Sequence, residues 1–370
     1  MTQKPFSVKY RPKKFSEVVG QETSTRILRN SIKRKTLHTS YIFYGMYGVG
    51  KTTLARILAA SENCLEPDNG EPCGKCSNCI DIFSGKSQDI IETNAAKERG
   101  IDDIRALSDR LRIAPINCKT RYVIFDESHS LGKQAVEALL KIIEEPPSNV
   151  RFVFCTTDIQ AVIPTIVSRC QCLNFTKVSM TDISSNIKYI CDKENINIEE
   201  SSILLASRMA NGSVRNSLQN LQKMVEYSND EEKITEEIAS KALGAISNNS
   251  FFIISQSILD KNVSKSMLTI NLLMSEGKSS AYLLEGLSYH LRMIQLAKVC
   301  SSNLKYFDLT EEEIKKYEIY SSKFHLALIK EMIDRLYDVY RGMTLNMDLT
   351  LVLEKYLIEC IIFVSKLSKN

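Results

Sequence analysis

The chain has 370 residues, 44% hydrophobic and 25% charged, and its 48 basic and 44 acidic side chains leave a net charge of +4. That length buries about three quarters of the unfolded surface and suits two or three domains, while so small a net charge excludes any claim to a polyanionic partner made from bulk charge. The opening Met1-Thr2-Gln3-Lys4-Pro5 lacks an apolar signal core, and no run of about 18 apolar residues is present to span a bilayer, so a cytoplasmic protein without membrane association is expected.

In chain order, the apolar run Tyr41 to Tyr44 reads as the first strand. The next eight residues, Gly45-Met46-Tyr47-Gly48-Val49-Gly50-Lys51-Thr52, match GxxxxGK[ST], and a helix is predicted from Lys51 to Ala60. Strand, glycine loop and helix start make a phosphate cradle. Glycines let backbone N–H groups wrap the anion, and the helix dipole favours it. Lys51 reaches the β- and γ-phosphates from an exposed loop, and Thr52 ligates Mg²⁺. Cys64, Cys73, Cys76 and Cys79 follow as C-x8-C-x2-C-x2-C among turn-forming residues. Four converging thiolates close a tetrahedral site with no position for substrate, so a structural Zn²⁺ is expected there. The other seven cysteines, Cys118, Cys155, Cys170, Cys172, Cys191, Cys300 and Cys360, are scattered and are expected to be buried as small hydrophobes.

Further along, a strand is predicted over Asp89 to Glu92, a helix over Ile101 to Ile113 and a buried strand over Tyr122 to Phe125. That last strand ends in Asp126-Glu127. Beside a phosphate cradle, Asp126 would hold Mg²⁺ through water and Glu127 would polarise the attacking water, which points to hydrolysis. A helix over Lys133 to Glu144 stops at Pro146-Pro147, and strands follow at Phe152 to Cys155 and Gln171 to Phe175. All eight prolines lie at or before Pro164, and beyond it come long Leu/Ile-rich segments of helical spacing such as Phe324 to Tyr340 and Leu349 to Leu367. The fold class is therefore α/β and then all-α: a parallel nucleotide-binding sheet followed by helical domains, with a hinge at Ile246 to Ser250.

Lys9-Tyr10-Arg11-Pro12, Phe15, Val18-Val19-Gly20-Gln21-Glu22, the glycine loop, Phe125-Asp126-Glu127-Ser128-His129, Ala138-Leu139-Leu140-Lys141 with Glu144-Glu145-Pro146-Pro147, and Ile166-Val167-Ser168-Arg169-Cys170 together resemble the clamp-loader AAA+ ATPases. The four-cysteine insertion is similar to that of bacterial DNA polymerase III gamma/tau subunits. The resemblance implies an AAA+ ATPase domain over residues 1–176 with a zinc-binding module at 64–79, a helical lid over 177–245 and a helical collar over 246–370 that oligomerises the chain. It implies a pentamer with other copies and with delta and delta-prime subunits, which uses ATP to open a ring-shaped sliding clamp and close it around primer-template DNA.

Residue by residue, the resemblance assigns Arg169 as an arginine finger into the neighbouring subunit's ATP site, Thr157 as the sensor near the γ-phosphate with Thr156 as its near alternative, and Arg215 as a second sensor on the lid. Tyr10, Arg11 and Val19 would line the base and ribose, with Gly45 to Thr53, Thr53 included, around the phosphates. Arg105 and Lys141 match DNA-tracking positions, and Arg99 is a helper near the same helix start. Two departures stand out: Phe125 precedes the Asp-Glu pair where a small aliphatic residue is usual, and Gly100 replaces a basic or polar residue. Two other functions compete. An ATPase-silent scaffold subunit is disfavoured by the intact Lys51, Thr52, Asp126 and Glu127. A remodelling AAA+ machine acting on protein or junction DNA is disfavoured by the cysteine knuckle and the Ser-Arg-Cys motif.

Overall fold

The computed structural model describes residues 4–95, 101–228, 233–246, 248–276, 280–300, 309, 311–344 and 347–367. The chain forms two compact units, Met1–Thr235 and Glu236–Asn370. The first contains α1 (Phe6–Lys9), α2 (Glu22–Arg34), β1 (Ser40–Gly45), α3 (Lys51–Glu62), α4 (Ser77–Ser84), β2 (Ile90–Asn94), α5 (Ile101–Leu111), β3 (Arg121–Asp126), α6 (Lys133–Glu144), β4 (Val150–Thr156), α7 (Pro164–Val167), β5 (Gln171–Phe175), α8 (Met180–Glu194), α9 (Glu200–Met209) and α10 (Val214–Tyr227).

Among the described residues five strands form one parallel sheet, in the order β2-β3-β4-β1-β5. Alternate residues feed two apolar layers. Tyr41, Phe43, Tyr122, Ile124, Val153 and Cys155 face α2 and α3, while Ile42, Val123, Phe125, Phe152 and Phe154 face α5 and α6. Burial on both faces explains why the strands read as continuous apolar runs. Because β4 lies between β1 and β3, the chain reverses direction across the sheet beside β1. The carboxyl end of that strand is where open α/β sheets bind ligands.

Phe125 has a physical account: its ring stacks on Phe154 with centroids 5.1 Å apart, filling the space beneath α5 and α6. Several predicted bounds move. The second strand begins at Ile90, not Asp89; the Asp89 carbonyl still accepts the Tyr122 N–H, while its buried carboxylate accepts the N–H groups of Ile116, Asn117 and Cys118 and pairs with Arg121 at 3.1 Å. The helix predicted to Ile113 ends at Leu111. Of the seven scattered cysteines, Cys155, Cys191 and Cys360 are buried, whereas Cys118, Cys170, Cys172 and Cys300 are only half-buried. Cys170 and Cys172 lie against the core at the entry to β5, where the surface begins.

The described elements of the second unit are all helices: α11 (Glu236–Leu243), α12 (Asn248–Leu259), α13 (Val263–Ser275), α14 (Ser280–Val299), α15 (Glu311–Lys323), α16 (Leu326–Thr344) and α17 (Leu349–Leu367). Its core gathers Phe252, Leu287, Leu291, Met332, Leu353 and Leu357, and encloses one polar relay. His290 Nε2 lies 3.1 Å from the Ser255 hydroxyl and Nδ1 lies 3.1 Å from the Tyr317 hydroxyl, and burial pushes the imidazole down to about 3, so it stays neutral. The division at Thr235 places α11 with this unit, ahead of the expected boundary at 245. The expected hinge narrows too, since Asn248, Asn249 and Ser250 open α12 and Ser247 lies outside the described residues. Among the described residues no helix is long and apolar enough to cross a membrane.

Candidate nucleotide site and cysteine cluster

The glycine loop leaves the carboxyl end of β1 and turns into α3. Gly45, Gly48 and Gly50 all take positive φ, at 143°, 77° and 103°. At Gly45 a Cβ would stand 2.0 Å from the carbonyl oxygen of Phe175, and at Gly48 it would stand 2.1 Å from the Ser213 hydroxyl, so no larger residue fits either place. Lys51 is only 7% exposed, contrary to the exposed loop expected from sequence. Its ammonium donates to the carbonyls of Gly45 at 2.7 Å and Met46 at 2.8 Å, which folds the side chain back under the loop. Burial lowers the ammonium's pKa, with the Glu127 and Asp126 carboxylates pulling the other way.

Asp126 ends β3 next to β1's loop. The Thr52 hydroxyl donates to Asp126 Oδ2 at 3.1 Å, joining the two residues assigned to Mg²⁺. Glu127 takes a left-handed conformation, φ 52°, ψ 44°, a costly backbone for a non-glycine residue, at the position assigned to the attacking water. Its carboxylate lies 3.6 Å from His129 Nδ1, which in turn is 3.1 Å from the Thr156 hydroxyl. Thr156 is fully buried at the end of β4 and also bonds the Asp158 backbone, so its hydroxyl is committed. Thr157, the first residue past the strand, is exposed. His129 carries no role in the sequence motif that contains it. Its link to Thr156 spans 27 residues and leaves no trace in spacing.

The helices after the sheet reach back over the loop. The Arg215 N–H donates to the Gly48 carbonyl at 3.2 Å, and its guanidinium lies 5.2 Å from the centre of the Tyr47 ring. Arg11 lies within electrostatic range of Arg56, Glu92, Arg215 and Asp126, and burial lowers its pKa. Tyr10 is anchored through its hydroxyl. Its hydroxyl donates to Glu194 on α8, and partial burial together with that carboxylate pushes it up to about 12. Val19 is half-buried, beside Gly20 packed on Val178. Met46 lines the core, Val49 is buried within it, Thr53 is half-buried and Tyr47 is exposed.

Arg169 stands apart from this cluster. Its guanidinium donates to Glu144 at 2.6 Å and to the Thr165 carbonyl at 2.9 Å, and its side chain is 38% exposed. The register pairs Tyr41 with Gln171 and Gly45 with Phe175. The glycine loop and Arg169 therefore lie at opposite ends of this strand pair, more than about 13 Å apart at the usual rise per residue. Arg105 on α5 and Lys141 on α6 are both exposed, on helices that pack together. Arg99 lies outside the described residues.

The sulfur atoms of Cys64, Cys73, Cys76 and Cys79 all lie within 4.8 Å of one another. The Cys64–Cys76 and Cys73–Cys79 pairs are each 4.0 Å apart, close to the roughly 3.8 Å edge of a tetrahedron with metal–sulfur bonds of about 2.3 Å. Backbone N–H groups of Lys75 and Cys76 point at Cys73 Sγ and push that thiol down to about 6, while burial raises Cys64 and Cys79. The donor set fits a tetrahedral metal with no open position.

A family model described as DNA polymerase III, delta subunit, matches residues 20–179. The chain is 34% identical to the DNA polymerase III tau subunit of Bacillus subtilis over 328 residues, 88% of this chain and 57% of that one. It is 34% identical to the gamma subunit of Buchnera aphidicola subsp. Baizongia pistaciae, covering 70% of each, and 30% identical to that of the Schizaphis graminum subspecies, covering 88% of this chain and 90% of the relative. The chain thus spans little more than half of the Bacillus subtilis tau subunit it matches. Among solved structures, the Thermotoga maritima RuvB Holliday junction branch migration motor aligns at 18% identity over 67% of this chain and 79% of that one, with a TM-score of 0.49.

Proposed function

This chain belongs to the DNA polymerase III gamma/tau family, and we propose that it is an ATP-driven motor subunit of the bacterial clamp loader. The observation that carries the reading is the joining of Thr52 and Asp126 beside the buried Lys51, with Glu127 one residue on. A degenerate, silent subunit has no reason to keep those four groups together. On this reading the loop amides and Lys51 bind the ATP phosphates, and Glu127 orients the attacking water. Thr157 and Arg215 contact the γ-phosphate end from the loop after β4 and from α10, and Tyr10, Arg11 and Val19 form the wall toward the base. Mg²⁺ held by Thr52 and Asp126 would supply charge compensation on the phosphates.

Hydrolysis would drive opening of the sliding clamp and its release around primer-template DNA. The exposed Arg105 and Lys141 would track the DNA's phosphates, with affinity but no sequence preference. Copies of this chain and the delta and delta-prime subunits would complete the ring through the helical unit in the cytoplasm. Leu351, Ile358 and Ile362 support that contact, since they form an exposed apolar stripe at helical spacing along α17. ATP turnover is expected to rise when primed DNA and clamp are added together. Turnover indifferent to both would leave an ATPase of another kind, such as a protein remodeller.

The four cysteines would hold one Zn²⁺ per chain in a structural role. Protein purified without chelators is expected to contain one zinc per chain by elemental analysis. Zinc binding in small domains amounts to about 10 kcal/mol or more, so stripping it should unfold the knuckle while the sheet's far-ultraviolet signal persists. Zinc-free protein from such a preparation would end this assignment.

A further inference from the structure

We propose that Glu71, inside the four-cysteine loop, is a positioning residue for the N-terminal segment at the nucleotide site, and that it carries the knuckle's metal occupancy to nucleotide affinity. The inference rests on reading the glycine loop as an ATP site. The Glu71 side chain is only 13% exposed. Its Oε2 accepts the Phe15 N–H at 2.7 Å and its Oε1 accepts the Ser16 N–H at 3.2 Å, with Arg29 Nη1 at 3.5 Å. A carboxylate held by two backbone amides and a guanidinium, 55 residues along the chain, is an anchor and not a solvated acid.

Both sides of the contact are fixed. Asp68 and Glu71 exchange backbone hydrogen bonds at 3.1 and 2.8 Å, forming a small hairpin between Cys64 and Cys73. That hairpin lies on α2 so closely that a Cβ on Gly70, whose φ is +81°, would stand 3.0 Å from the Arg29 carbonyl oxygen. The Cys73 N–H donates to Cys64 Sγ at 3.2 Å, so the knuckle closes the loop that presents Glu71. On the other side, Phe15 is buried with Val49 and Leu54 under the glycine loop, and Val18 packs on the same cluster. Four residues before Phe15, Arg11 faces the field of Asp126 and Arg215. The segment therefore runs from the Tyr10–Glu194 contact on α8 to the core beneath the phosphates, and Glu71 clamps its core end. Without the clamp the segment keeps the Phe15 burial and loses its backbone restraint.

The test is titration with a fluorescent ATP analogue, combined with hydrogen exchange over residues 13–19, on the parent, Glu71→Ala and Glu71→Gln, with and without zinc. Glu71→Ala is expected to keep its zinc, to lose exchange protection at the Phe15 and Ser16 amides, and to bind the analogue about tenfold more weakly, the loss expected for a charge-assisted contact felt at one remove. Glu71→Gln retains acceptor oxygen without charge and should fall between the two. Zinc removal from the parent should reproduce the Glu71→Ala loss, and zinc removal from Glu71→Ala should add nothing to it. Affinity within about twofold of the parent for Glu71→Ala, or a full additional loss on stripping its zinc, overturns the proposal. A parent that binds no analogue overturns the ATP-site reading with it. That failure is recognised by protection at Phe15 and Ser16 that still depends on Glu71.

Discussion

Lys51→Ala should abolish measurable ATP hydrolysis, and clamp loading with it, in a protein that remains folded. The side chain is buried under the glycine loop with its ammonium on the Gly45 and Met46 carbonyls, and on the proposed reading it is the positive charge that meets the β- and γ-phosphates when nucleotide binds. Removing one preorganised charge from such a site costs at least about 10²-fold in rate. Two loop carbonyls also lose a charged donor, worth about 1.5–3 kcal/mol each, but the cost of burying the ammonium disappears with it, which leaves a net loss of about 1–2 kcal/mol. In a unit of this size that loss lowers the melting temperature by only a few degrees, about 2–4 °C per kcal/mol. Phosphate release with primed DNA and clamp, beside a thermal melt, separates the two effects. Turnover at the parent's rate would sink the assignment of the loop, whereas a collapse of the melt would mean that Lys51 serves the fold.

Much of this site was legible in the sequence because its parts are local. The strand, loop and helix around Lys51 are contiguous, and the Asp126-Glu127 pair is announced by the apolar run that ends there. The cysteines converge because their spacing is short, and α17 was readable from end to end from its helical repeat. Contacts between a side chain and a distant backbone carry no period and no motif. The closeness of Ser213 to Gly48 joins residues 165 positions apart in sequence, the Phe15–Glu71 bond joins residues 56 apart, and the burial of Lys51 depends on carbonyls that any residue would supply. The half-buried cysteines were missed for the same reason, since exposure at Cys170 and Cys172 is decided by where β5 meets the surface.

Arg169→Ala should act on a neighbouring subunit's ATP site and leave its own nearly intact. The guanidinium lies just before the end of β5 remote from the glycine loop, tied to Glu144 and the Thr165 carbonyl and more than a third exposed, so it is badly placed for its own phosphates and, on the proposed reading, would leave Glu144 to meet a partner's. The variant should bind ATP with nearly normal affinity, yet hydrolyse it in the assembly about 10³-fold or more slowly, as for arginine fingers that complete a site in trans. Loss of the exposed pair with Glu144 should hardly touch stability, because such pairs contribute about 0–1 kcal/mol. Mixing separates a shared site from a structural turn. Arg169→Ala chains keep good loops, Lys51→Ala chains keep good fingers, and a ring containing both has interfaces that pair one with the other. Those mixtures should recover part of the parent's turnover. Mixtures that co-assemble and stay as inactive as either variant alone would mean that Arg169 only braces α6 against the turn before β5.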